Sequence, residues 1–307
     1  MPTYREIRGV LPVIHTPFTV DDEIDHETLR KEIDWLAGLG VDGVTTGMVS
    51  EILKLSPDER MFLHDSIVNL ARDSGITVVL STGSESTKQA IAYTKHAQVA
   101  GADAVMVNPP LTTSLSDADL LGYYGGILEA TEIPMVVQDA SGYIGRPLSL
   151  ELQTTLFNKY ESRIYFKPEA VPIGPRLSLF MEATDGKARV LEGSGGLALI
   201  DTYDRGVIGT MPGADTAWAL IAIWSALNAN DRHRAESISG PLANLIALEH
   251  SLDSYLAVEK YLMAKQGIFP TEKCREPVGY RLDLPTKTRI DTIFTSLHKS
   301  VFGEVTE

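Results

Sequence analysis

Short runs rich in β-branched and apolar residues recur eight times: GVLPVIHTPF (9–18), VDGVTTG (41–47), ITVVLSTG (76–83), ADAVMVNPP (102–110), IPMVVQDA (133–140), RIYFKPEA (163–170), ARVLEGSGG (188–196) and GVIGTMPG (206–213). Runs of this length and composition predict buried strands. Between them, apolar residues fall at helical spacing. Leu29, Ile33, Leu36 and Leu39 form one such stripe, and Gly40 ends it. SPDERMFLHDSIVNLARDSG opens with Ser56 as an N-cap, Pro57 at the first helical position and Glu59 three residues after the cap. STKQAIAYTKHAQVAGAD repeats the design. Strands and helices alternating eight times predict an α/β protein of the (β/α)8 TIM-barrel class. A doubly wound open sheet is the structural alternative. Against it, no G-x-G-x-x-G follows the first strand, and GSGGLALI (193–200) carries neither the dinucleotide pattern nor the Lys-Ser/Thr of a P-loop.

Beyond about residue 215 the strands stop and four helical patterns follow: 215–231, 234–254, 255–269 and 286–302. The first closes the barrel. The expected organisation is therefore a barrel over 1–225 and a C-terminal helical region over 226–307 that packs on it. The chain has 307 residues, 44% of them hydrophobic, enough for a large core. The formal charge of −14, without a Lys/Arg cluster, excludes nucleic acid and anionic membrane surfaces as natural partners. MPTYREIRGV lacks the continuous apolar core of a signal peptide, and no apolar run reaches the roughly 20 residues of a membrane span. Cys274 is the single cysteine, so it makes no internal disulfide and anchors no zinc site alone. The expected location is the cytoplasm.

Barrel enzymes place their chemistry at the C-terminal ends of the strands. There the sequence offers Ser50, Glu51, Thr82, Asn108, Gln138, Asp139, Lys167, Glu169, Glu192, Ser194 and Thr210. The set is polar but poor in metal ligands. The histidines are scattered, no H-x-x-x-H occurs, and no G-x-S-x-G supports a serine hydrolase. Neither a metal nor a nucleotide or flavin cofactor is expected. Lys167 stands out, because it ends the apolar run Ile164–Tyr165–Phe166. Apolar walls disfavour the charged form of an amine, and a neutral lysine attacks ketones to form a Schiff base. A structural ion pair with Glu169 or Glu192 is the other reading these residues leave open.

In combination, GVLPVIHTPFT (9–19), SEILKLSPDER (50–60), AGADAVMVNPP (100–110), YFKPEA (165–170) and AVEKYLMAKQGI (257–268) resemble the dihydrodipicolinate synthase / N-acetylneuraminate lyase family of class I aldolases and dehydratases. The resemblance covers nearly the whole chain. It implies a Schiff base between Lys167 and an α-keto acid, no other cofactor, and a homo-oligomer, either a dimer or a tetramer.

The departures from that pattern redirect the substrate. Gln138 stands where the resemblance calls for a proton-relaying tyrosine. MVSE (48–51) fills the TTGE slot, so Met48 and Val49 replace the carboxylate-binding threonines and Ser50 replaces the glycine. A tyrosine lent by a neighbouring subunit falls near Pro110–Leu111, and the arginine that reads a second carboxylate maps to Tyr143. Gln-Asp-Ala at 138–140 with Ser-Glu at 50–51 is similar to the L-2-keto-3-deoxyarabonate dehydratase branch. The implied reaction removes water from a 2-keto-3-deoxy sugar acid to give a semialdehyde. Lys167 and Gln138 are the expected catalytic residues. Gln138 does not titrate, so it orients a water or holds a hydroxyl. Ser50 is expected to bind the substrate carboxylate with backbone N–H groups of its loop. Glu51, Tyr143, Glu192 and Ser194 complete the expected substrate-binding set, and Ser50, Glu51, Glu192, Ser194 or a water is the expected proton carrier. Glu51 has a second reading as a cap of the following helix, and Glu192 as the charge partner of Lys167. The alternative functions are a pyruvate-releasing aldolase, a dihydrodipicolinate synthase-like condensation, and a barrel that only binds keto acids.

Overall fold

The computed structural model describes residues 4–142 and 146–303. Eight parallel strands lie at the predicted places: β1 (Gly9–Val10), β2 (Gly43–Thr45), β3 (Thr77–Ser81), β4 (Ala104–Val107), β5 (Met135–Gln138), β6 (Ile164–Lys167), β7 (Leu191–Glu192) and β8 (Gly209–Thr210). β2 to β6 pair in chain order, and β1, β8 and β7 form a second run. Parallel bridges from Val13 to Thr45 and from Phe166 to Val190 join the two runs. The sheet thus closes on itself, and a closed sheet has no edge strand to protect. A helix follows each strand: α1 (His26–Leu39), α2 (Pro57–Arg72), α3 (Thr87–Ala100), α4 (Asp117–Ala130), α5 (Leu150–Tyr160), α6 (Ile173–Ala183), α7 (Leu199–Asp204) and α8 (Ala217–Asn228). α2 starts as its sequence dictates, since Ser56 Oγ accepts from Glu59 N at 3.2 Å while Ser56 N donates to Glu59 Oε2 at 2.8 Å.

Alternation along the strands sorts side chains into two layers. Met135, Val137, Ile164 and Phe166 point outward to the helices, and Phe166 meets Phe180 edge-on at 4.7 Å between ring centroids. Val136, Tyr165, Leu191 and Met211 point into the barrel with Leu11, Val13, Val79 and Met106. The inward parity of Val136 and Tyr165 carries on to Gln138 and Lys167. Gln138 pairs in register with Lys167, so the two side chains enter the barrel as neighbours.

Three further helices follow: α9 (Arg232–Ile246), α10 (Leu252–Lys265) and α11 (Leu284–Phe302). α8, α9 and α11 share an apolar cluster around Trp218, Leu242 and Phe294. α10 bridges two clusters, because Val258 and Leu262 join this one while Leu256 packs into the barrel-interior cluster. It therefore lies over the open end of the strands and forms the roof of the site.

An ion pair holds that roof. Lys260 is fully buried on α10, and its Nζ donates to Glu51, to Thr16 O at 2.8 Å and to Lys273 O at 2.9 Å. The other carboxylate oxygen of Glu51 accepts from Arg275 N at 2.8 Å. Glu51 itself sits at φ 55, a left-handed conformation that glycine favours and other residues adopt at a cost of about 1–2 kcal/mol. Removing one partner of a buried pair strands the other charge in a dry interior. Lys260→Met is accordingly expected to destabilise the protein by about 3–5 kcal/mol, read from the shift of its urea midpoint. A loss below about 1 kcal/mol would show that the pair does not hold the roof.

Candidate active site

The barrel's open end holds a narrow cavity of about 20 Å³, lined among others by Met48, Val49, Gln138, Lys167, Met211, Tyr255 and Glu259. Beside it lies a larger groove of about 440 Å³, bounded by Glu169, Val171, Pro172, Ser194, Leu197 and again Tyr255.

Lys167 does not sit among purely apolar walls. Its Nζ donates to Glu169 Oε1 at 2.8 Å, with the two side chains 4% and 3% exposed. The same oxygen accepts from Gln138 Nε2 at 2.8 Å. Glu169 follows Lys167 by two residues and so shares its inward face. Its second oxygen and the Gln138 carbonyl oxygen are buried without a hydrogen-bond partner. Burial raises the Glu169 carboxyl above the usual carboxylate range; the Lys167 charge and the two hydrogen bonds oppose that rise, and the Asp139 charge adds to it. A carboxyl perturbed in this way, bonded to an amine that can attack a ketone, has the makings of an acid/base.

The glycine-rich stretch after β7 serves this pair. A methyl group at Gly193 would fall 2.9 Å from Lys167 Cγ, 3.0 Å from its Cε and 3.1 Å from Glu169 Cγ. Glycine there lets the chain pass beside the lysine stem, which accounts for a glycine run that matches no nucleotide motif.

The other expected residues divide. Ser50 is fully buried, donates from Oγ to Ile14 O and accepts from Gly47 N at 3.0 Å. It shapes the single 3-10 turn Met48–Ser50 and does not line the cavity; Gly47, Met48 and Val49 do. Glu51 is taken up by Lys260 and Arg275 N, and the capping of α2 falls to Ser56 and Glu59 instead. Glu192 is not the partner of Lys167. Leu191 faces the interior, so Glu192 falls on the opposite face, where it accepts from Thr210 Oγ1 at 2.7 Å and from Ser194 N at 2.6 Å. Ser194 borders the groove, and its Oγ accepts from Ala198 N at 2.9 Å. Tyr143 lies outside the described residues. Cys274 is half-buried beside α10, and burial pushes its thiol up to about 11.

Glu169, which the sequence offers as a strand-end residue and a possible partner of Lys167, is that partner, whereas Tyr255 and Glu259 escape the sequence reading. For Glu169 the signal was present, two residues after Lys167 on the same strand face. For α10 the signal was weak: Tyr255 and Glu259 sit one turn apart, with Glu259 and Lys260 charged inside an otherwise apolar stretch. Glu259 Oε2 lies 2.8 Å from His15 Nε2, and His15 Nδ1 lies 3.2 Å from Glu32 Oε1, all deeply buried.

Comparison with known proteins identifies the family. The sequence profile of the dihydrodipicolinate synthetase family matches residues 6–293. The chain belongs to that family. It is therefore a family member of class I aldolase type, built on a (β/α)8 barrel. It is 33% identical over 204 residues to a 4-hydroxy-tetrahydrodipicolinate synthase of Methanosarcina acetivorans, spanning 65% of this chain and 68% of that protein. It is 26% identical over 279 residues to an L-2-keto-3-deoxyarabonate dehydratase of Azospirillum brasilense, spanning 88% of each. In fold it is similar to the crystal structure of a dihydrodipicolinate synthase from Rhodopseudomonas palustris, with a TM-score of 0.87, 24% identity, and coverage of 95% of this chain and 98% of that one. Among the described residues, no helix is long and apolar enough to cross a membrane.

The His15 network gives stability a signed dependence on pH. Burial works against the imidazolium, yet its bonds to Glu259 and Glu32 prevail and raise it from 6.5 to about 10. A group raised on folding contributes fully below its unfolded value and loses that contribution as pH climbs through its folded value. Burial first, and then the Glu259 charge, raise Asp215 from 3.8 to about 7, with His15 partly opposing. Its contribution therefore fades between about pH 4 and 7. Between pH 6.5 and 10 the thermal midpoint is expected to fall, and to fall less steeply in His15→Gln than in the wild type. Equal slopes in the two proteins would contradict this assignment.

Proposed function

We propose that the protein dehydrates a 2-keto-3-deoxy sugar acid, of the L-2-keto-3-deoxyarabonate kind, through an imine on Lys167. The observation that carries this reading is the Glu169 carboxylate, hydrogen-bonded at once to the Lys167 amine and the Gln138 amide. Lys167 attacks C2, and water leaves as the imine forms. The imine acidifies C3, from which Glu169 takes a proton. The resulting enamine expels the C4 hydroxyl, which leaves as water with the proton that Glu169 returns. The C5 carbon and its hydroxyl give up one proton each while C3 and C4 gain one each, and the alkene becomes an aldehyde. A second water hydrolyses the imine and frees Lys167.

Two features favour this over a dihydrodipicolinate synthase-like condensation. Gln138 has no titrating hydroxyl to relay protons as a tyrosine would. Met48 and Val49 offer no side-chain oxygen, which leaves the substrate carboxylate to the first N–H groups of the 3-10 turn they open. The similarity to the dehydratase spans more of both chains than the similarity to the synthase, though at lower identity. No other cofactor is required, and the family resemblance implies a homo-oligomer acting on a small soluble keto acid.

Borohydride trapping with peptide mass mapping tests the reading. Incubated with 2-keto-3-deoxy-L-arabonate and reduced, the protein is expected to carry an adduct on Lys167, short of one water beyond that lost in imine formation. A pyruvyl adduct from the same acid would instead mean C3–C4 cleavage and an aldolase. No adduct from either this acid or pyruvate would leave Lys167 as a structural ion pair.

A further inference from the structure

The carboxylate of Glu259 does nothing in the chemistry above, yet it lines the same cavity as Lys167 and Gln138. Its setting is elaborate for a spare group. His15 holds it from below at 2.8 Å. A methyl group on Gly213 would stand 2.4 Å from Glu259 Oε1 and 2.7 Å from Asp215 Oδ1, so glycine allows two carboxylates to converge there. Tyr255, one turn earlier on α10, has its hydroxyl pushed up by burial and then by the charges of Glu249, Glu259, Glu169 and Glu192. Glu249 is half-buried and is itself raised by desolvation and by Glu259 and Asp215. The roof of the site is thus crowded with acidic groups around His15, and burial favours the protonated form of Asp215 and Glu249.

An acidic cluster alone specifies no ligand, but the unsatisfied atoms around it do. Gln138 is 1% exposed, lines this cavity, and has a carbonyl oxygen without a partner. Its amide gives one N–H to Glu169, and so does the amine of Lys167. Glu169 keeps one oxygen without a partner as well. The side-chain atoms of this pair that are buried without any partner are thus both acceptors, the Gln138 carbonyl oxygen and Glu169 Oε2. A ligand satisfies them only by bringing hydrogen-bond donors, and a second carboxylate brings none while meeting like charge.

We propose that Glu259, anchored by His15 and backed by Asp215, binds the hydroxyl-bearing end of the substrate and excludes acids that carry a second carboxylate. This rests on the keto-acid reading of the cavity and narrows it to substrates with an uncharged polyol tail. The sequence reading had assigned no role to the residue.

Calorimetric titration with acids that lack a keto group separates this claim from imine chemistry, since none of them can be trapped on Lys167. L-arabonate supplies one carboxylate and a hydroxylated tail, lactate is a short acid without the tail, and 2-hydroxyglutarate has a second carboxylate. The wild type is expected to bind L-arabonate most tightly and 2-hydroxyglutarate least. Glu259→Gln keeps the side-chain shape. It is expected to weaken L-arabonate by on the order of tenfold relative to lactate, the scale of one charged hydrogen bond, and to narrow the penalty against 2-hydroxyglutarate. If that variant does not fold, Asp215→Asn leaves the His15–Glu259 contact in place and is expected to narrow the 2-hydroxyglutarate penalty in the same direction. Equal shifts for all three acids, no shift for any, or wild-type L-arabonate binding no tighter than lactate would overturn the proposal. Failure of borohydride trapping would remove the imine mechanism without touching this result.

Discussion

A buried amine needs a counter-charge, and the rest of the site is arranged around that requirement. Lys167 reaches the barrel interior because strand parity turns it there, into a space otherwise filled by Tyr165, Val136 and Met211. An isolated ammonium in such a place would cost many kcal/mol. Glu169 offsets this from just beyond the end of the same strand, two residues on, at 2.8 Å. The pair in turn dictates its surroundings. Gln138, the register partner on β5, gives its amide to the shared oxygen, and Gly193 gives up a side chain so that the lysine stem can pass. The catalytic reading and the ion-pair reading of Lys167 are therefore two states of one arrangement. The carboxylate that holds the amine in the resting protein is also placed to move protons once the amine has become an imine.

A second polar system holds the roof over this pair. Glu51–Lys260 ties the loop after β2 to α10, and Arg275 reinforces the tie with its backbone N–H on Glu51 and its guanidinium on Glu59 at 2.7 Å. Lys260 and Arg275 also lie over the ring of Phe18, at 4.6 and 4.3 Å from its centroid. The side chains of Ser50 and Glu51, which sequence position alone would assign to the substrate, are consumed by this structural task. The cavity is lined instead by Gly47, Met48 and Val49 of the same loop and by Tyr255 and Glu259 of α10.

The barrel was legible because its signals are repetitive. Eight apolar runs, the helical stripes between them and the cap at Ser56 each point to the same architecture, and each holds in the structure. Lys167 was legible because it ends an apolar strand where a charge is out of place, and Gln138 because the family resemblance puts a tyrosine at its position. Period-two counting decides between the two partners the sequence offers Lys167, since Glu169 shares its inward face and Glu192 does not. The role of α10 was illegible for a deeper reason. A helix's own sequence shows which stripe is buried but not what lies beneath it, and Glu259 meets His15 across 244 positions of chain. Contacts of that separation are written by the fold, not by local pattern.

The central claim is that Glu169 carries protons for an imine on Lys167. Pyruvate in deuterium oxide tests this most directly, because an enamine exchanges its methyl protons far faster than the slow enolisation of the free acid, which a protein-free sample measures. Exchange followed by proton NMR, beside borohydride trapping on the same samples, separates the two steps in the wild type and in Glu169→Gln. The account predicts methyl exchange in the wild type, with the variant still trapping pyruvate on Lys167 but exchanging slower by on the order of a hundredfold or more. Exchange at the wild-type rate in a variant that traps normally would contradict it, and would assign the proton to another group.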